Sequence, residues 1–206
     1  MKRALFGLIL VASTASAGIV DDVIAAYGGA EAWKKVKSFR QVGTVASPMR
    51  PAPGQVTRLW TRPDKLTIEI VYPTSKETRI VDGDHGTQNG KEASGMGLAA
   101  MRLQAARLAL PALLLEHRAD VKVREGNVLE VAIAPAMTVT MEIDPKTNRV
   151  LRSVSKAEGI EFATAYGDFK SVDGLLFPFS EENFANGTKT ATTTLTKVEI
   201  PAPLAP

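Results

Sequence analysis

From Ser38 to Glu199 the chain is a succession of short alternating runs divided by turn signals, and the succession is broken only once. Met137, Val139, Met141 and Ile143 alternate with Thr138, Thr140 and Glu142. Such a strand turns one face to a core and the other to water. Comparable runs lie near 39–46, 55–62, 65–72, 77–82, 120–124, 127–134, 137–143, 149–156, 160–168, 175–184 and 188–199. Asp82-Gly83-Asp84, Asn89-Gly90, Asp144-Pro145-Lys146-Thr147-Asn148 and Asn186-Gly187 supply turn chemistry around them. Pro48, Pro51, Pro53 and Gly54 suit an exposed loop over 47–54. Ten or eleven antiparallel strands in one sheet must curl or close. The expected fold is a mainly β, half-open barrel.

The break falls over 95–118. Leu98, Met101, Ala105, Leu108, Ala112 and Leu115 follow a helical progression, and Leu103, Leu110, Leu113 and Leu114 widen its apolar face. Pro111 inside one continuous helix would cost about 3 kcal/mol. Two helices, about 96–109 and 111–118, are therefore expected, with Pro111 opening the second. Upstream, Ile19, Val20, Val23, Ile24 and Tyr27 recur at helical spacing until Gly28-Gly29 ends the helix. A short second piece follows, with Ala32, Trp33 and Val36 on one side. A curled apolar face has to be filled by its own side chains or by a ligand, and the inserted pair could do that filling.

Met1-Lys2-Arg3, an apolar stretch from Ala4 to Ala12 and Ala15-Ser16-Ala17 read as a Sec-type signal peptide, 1–17. The apolar stretch is shorter than the roughly 20 residues that span a bilayer. The expected working domain is 18–200, followed by a proline-rich flexible tail at 201–206. Lys2 and Arg3 leave with the signal, so 23 basic residues face 22 acidic ones. That balance gives no footprint for nucleic acid. With no cysteine, disulfides, thiolate metal sites and N-terminal lipidation are excluded. The periplasm is the expected destination.

Leu59-Trp60-Thr61-Arg62-Pro63 with Leu66, Val36-Lys37-Ser38-Phe39, and Ile80-Val81-Asp82-Gly83-Asp84 resemble motifs of the LolA-like outer-membrane lipoprotein carriers. The runs 27–33 (Tyr27 to Trp33) and 167–178 (Gly167 to Pro178) are similar to the wider lipoprotein-sorting relatives. The resemblance implies a half-open β-barrel closed by lid helices. It also implies carriage of lipoprotein acyl chains, or another lipid, between an inner-membrane donor and an outer-membrane acceptor. Arg62 matches the family arginine that reaches toward the lid. The link from Leu59 to Arg62 is one residue shorter than in the best-known carriers.

Trp60, Leu66, Ile68, Ile70, Phe162, Leu175 and Phe177 fall on alternating strand positions and could line such a cavity. Met137, Val139 and Met141 share one strand face, and Met96, Met101, Leu108 and Leu115 lie on the inserted helices. Unbranched methionines adapt to irregular ligands. Taken one by one, these residues are equally ordinary core, and Arg62 an ordinary strand-end charge. His85 and His117 have no metal-ligand spacing around them. Asp82-Gly83-Asp84-His85-Gly86 lacks the remaining ligands of a calcium loop, since Ala93 stands at the twelfth position. Ser153-Val154-Ser155-Lys156 spells S-x-x-K on a strand rather than a helix. No enzyme motif, metal or cofactor is expected, and a monomer is. The other reading is an envelope sensor that uses the same fold to bind a protein partner, which would need an exposed apolar patch or edge.

Overall fold

A computed structural model describes residues 14–201. Of the expected signal peptide, 1–17, residues 1–13 lie outside the described residues, as do tail residues 202–206. Helices α1 (Thr14–Ala26) and α2 (Ala30–Lys35) precede β1 (Ser38–Ala46), β2 (Gly54–Thr61), β3 (Lys65–Val71), β4 (Lys76–Asp82), β5 (His85–Gln88) and β6 (Lys91–Glu92). Then come α3 (Gly95–Leu108) and α4 (Leu110–Glu116). The chain finishes with β7 (Val121–Arg124), β8 (Val128–Ala134), β9 (Met137–Ile143), β10 (Val150–Ala157), β11 (Ile160–Val172), β12 (Leu175–Ala185) and β13 (Thr188–Glu199).

All thirteen strands form one antiparallel sheet in the order β6-β5-β4-β3-β2-β1-β13-β12-β11-β10-β9-β8-β7. The first and last strands pair at its centre, and β6 and β7 are its two unpaired edges. The sheet is therefore open. The α3–α4 insertion joins those two edges in sequence, and α3 packs against β4 and β5 from one half and β9 and β10 from the other. It acts as a strut across the concave face.

The strand number exceeds the expected ten or eleven by the hairpin β5–β6. His85–Gln88 and Lys91–Glu92 carry no apolar alternation, so periodicity does not mark them. They pair through the Asn89-Gly90 turn, where both residues have positive φ (52° and 76°). Pro111 sits in the first turn of α4, and α3 and α4 meet at 94°. No single helix among the described residues is long and apolar enough to cross a membrane.

One end of the half-barrel is sealed by aromatic packing. Trp33 of α2, Phe39 of β1, Trp60 of β2 and Phe177 of β12 are all buried. Phe39 stacks on Trp60 at 5.2 Å, and Phe177 meets Phe39 edge-on at 5.3 Å. Trp33 Nε1 donates to the Tyr27 carbonyl at 2.9 Å, which ties α2 back to the end of α1. Gly28 makes that junction possible. Its φ is +111°, and a Cβ there would lie 2.5 Å from the Gly174 carbonyl in the β11–β12 turn.

Candidate functional site

Inward positions of the strands follow the predicted alternation, but they do not stay apolar along the whole barrel. Beside the sealed end they are Leu66, Val81, Val139, Met141, Leu175 and their neighbours, covered by α3 and α4. Midway a polar belt crosses the sheet. Its register runs Gln88, Arg79, Ile68, Arg58, Gln41 from β5 to β1. A second polar row, Ser153, Thr164 and Asn183, occupies inward positions of β10, β11 and β12. Beyond the belt the wall becomes apolar again, with Val45, Val56, Ile70, Tyr72, Phe162 and Phe184.

A cavity of about 590 Å³ lies there, lined by these apolar side chains together with polar and charged ones, Arg58, Arg79, Gln88 and Asn183 among them. Its roof is one face of α3, where Ala100, Gln104 and Arg107 recur at helical spacing. Arg50, Lys76 and Gln88 stand among its lining residues, beside the loop 47–53 and the β3–β4 and β5–β6 turns. A separate cleft of about 80 Å³ lies beside Trp60, Ala105, Glu116 and Ile133.

The structure places the expected lining residues in several different surroundings. Of the predicted residues, Ile68, Ile70 and Phe162 border the large cavity. Trp60 borders only the small cleft, and Leu108 and Phe177 a gap of about 20 Å³. Leu66, Met101, Met137, Val139, Met141 and Leu175 are buried in the core, and Leu115 packs against it. Met96, at the start of α3, is 44% exposed and lines none of the pockets named above. The physical reason is that the strut fills the half of the concave face beneath it. The free volume lies where α3 leaves the sheet.

The residues that pattern reading passed over are the charged ones. Arg58 donates to Glu181 through both terminal nitrogens, Nη1 to Oε2 at 2.6 Å and Nη2 to Oε1 at 2.9 Å. Both side chains are under 8% exposed, so the pair is a buried, bidentate one. Nearby, Arg107 has Nε and Nη1 sealed from solvent with no hydrogen-bond partner among the described residues. Burial pushes its guanidinium below the ordinary arginine value, with Tyr166 and Glu181 opposing. The Tyr166 phenol meets Ser153 Oγ at 2.7 Å and is pushed up to about 12 by burial. The signal was present in the sequence. Arg58 is in phase with Val56 and Trp60, and Glu181 with Leu175, Phe177 and Phe179.

Arg62 stands at the sealed end, where β2 turns into β3. Its Nε donates to the Val36 carbonyl at 3.0 Å and Nη2 to the Trp33 carbonyl at 2.8 Å. Nη1 pairs with the Glu116 carboxylate at the end of α4. One guanidinium thus joins α2, the sheet and the inserted helices. Burial raises the Glu116 carboxyl above its ordinary value, against the pull of Arg62. No group of three His, Asp or Glu side chains suited to a metal ion occurs among the described residues.

Solved structures share this architecture. A LolA superfamily protein from Nitrosomonas europaea superposes with a TM-score of 0.56 at 10% identity, covering 91% of this chain and 94% of that one. This chain shares the fold of that protein. A putative outer membrane lipoprotein-sorting protein domain from Vibrio parahaemolyticus gives 0.54 at 9% identity, covering 91% and 93%. A DUF1329 family protein from Desulfovibrio piger gives 0.51 at 7% identity, covering 92% and 95%. No family profile matches the sequence, and no curated protein matches it. The likeness is thus one of backbone.

Proposed function

We propose that this protein is a non-catalytic periplasmic carrier that holds lipoprotein acyl chains or another lipid inside the half-barrel. It would leave the inner membrane through the signal at 1–17, travel as a monomer, and pass its cargo from a donor to an outer-membrane acceptor. The cavity of about 590 Å³ between α3 and the concave sheet carries this reading. Its size falls within the range of small-molecule sites, about 300–1,000 Å³. Even at roughly 30 Å³ per methylene, about the volume of a water molecule in the liquid, it has room for at least one long acyl chain. Each methylene taken from water contributes about 0.8 kcal/mol, so one chain supplies enough driving force for retention. The strut that roofs the cavity is tied down by Arg62 and Glu116, which supports a lid that opens by breaking that contact.

The test is mass spectrometry of an organic extract from protein exported to a periplasm and purified without detergent. A lipid at near-unit stoichiometry is expected. It should disappear in Ala100→Trp, which fills the cavity from α3, while the thermal melt remains cooperative. A clean extract from well-folded wild-type protein would overturn the carrier reading and favour the partner-binding one.

A further inference from the structure

The carrier reading leaves open which lipids the cavity prefers, and its charges are informative on that point. Arg58 and Glu181 neutralise each other. Arg107 then remains as a cation whose Nε and Nη1 have no partner among the described residues. At the outer part of the cavity the balance is again positive. Glu77 is shared by Arg79 at 2.5 Å and Arg50 at 3.8 Å, and Lys76 is paired with Glu69. A purely apolar cargo would meet an unpaired guanidinium, whose burial costs free energy with nothing to offset it.

Resting on the carrier reading, we propose that the cargo is an amphiphile with one acidic group, a carboxylate or phosphate, that the Arg107 guanidinium receives. The geometry suits that division. Arg107 borders the large cavity, so an oxyanion has room beside it. Val45, Val56, Ile70 and Phe162 line the same cavity and would take the hydrocarbon. An acid group in the cavity would neutralise this guanidinium through the part of it that lines the cavity, while Nε and Nη1 stay sealed behind it, and in a site of low dielectric such charge-assisted contacts are strong. Glu181 is already committed to Arg58 in bidentate form, so it does not compete for Arg107 as a close partner.

The experiment compares palmitate, methyl palmitate and inorganic phosphate by calorimetric titration into the delipidated chain, in wild type and Arg107→Met. Palmitate is expected to bind about 10- to 100-fold more tightly than its methyl ester, the range of a hydrogen bond to a charged group. Arg107→Met should bring palmitate to the level of the ester and leave the ester unchanged. Its melting temperature should equal or exceed that of wild type, since an unpaired buried charge is gone. Equal binding of acid and ester by wild type would overturn the acidic-head proposal while the carrier reading stands. Full competition by phosphate at concentrations comparable to palmitate would identify a small-anion site and overturn the amphiphile. Binding of none of the three by folded protein would overturn the carrier reading and this proposal with it.

Discussion

A charged residue on the inward phase of a strand marks where a barrel stops being simple core. Arg58 lies two residues from Val56 and two from Trp60, and Glu181 two from Phe179, yet all five side chains point the same way. Each charge alone would be ruinous in that position, and together they are tolerable because the fork geometry of arginine matches a carboxylate. Removing one member leaves a bare buried charge. Glu181→Gln is therefore expected to lower unfolding free energy by about 3–5 kcal/mol, measured by urea denaturation. The paired change Arg58→Met with Glu181→Leu should cost far less. A loss of similar size in the double variant would mean that the polar belt packs in a way apolar side chains cannot copy.

Individual elements are held by junctions whose chemistry is local but whose partners are remote. Arg62 joins two α2-end carbonyls to Glu116 of α4 across 54 residues of sequence. Arg62→Ala should destabilise the protein by about 1–3 kcal/mol. Amide exchange should accelerate in α4 before it does in β8–β10, because α4 loses its tie to the sheet. Uniform acceleration would show that the inserted helices do not open separately. At the other junction, Gly28→Ala should cost more than about 1 kcal/mol. The new methyl has an unfavourable φ and an approach to the Gly174 carbonyl too close to relax cheaply. Exposed Gly126, with positive φ and open space around it, should pay the conformational cost alone.

For the molecule as a whole, pH acts through carboxyls that folding moves in opposite directions. The hydrogen bond from Arg118 holds Asp21 below its ordinary value, Arg124 does the same for Glu130, and Lys197 for Glu199. A carboxyl depressed by folding adds stability above its unfolded value, and that contribution disappears as pH falls through the folded one. Glu116 is raised by burial, so its ionisation works against folding and its contribution grows on acidification. Urea midpoints should fall from about pH 4 downward. Asp21→Asn should make that fall shallower, Glu116→Gln steeper. A shallower fall in Glu116→Gln would show that its pairing with Arg62 outweighs its burial. High salt should mute the Asp21 effect most, because that pair is exposed.

Alternation, turn residues and the proline break were enough to read eleven of the strands and both inserted helices, because period, φ restriction and missing amides are local properties. They missed β5–β6, whose pairing rests on a turn and a backbone ladder and not on any apolar rhythm. They drew the expected lining from the residues most apolar in sequence, several of which are core in the structure. Local pattern tells which way a side chain faces, but not what stands opposite it. Only the tertiary structure decided that the strut fills the apolar half of the concave face. It also decided that Ile70 and Phe162 line free space while Met141 and Leu175 do not, and that Arg107 arrives beside a carboxylate already taken. Volume and charge balance are sums over segments distant in sequence, and no window along the chain contains them.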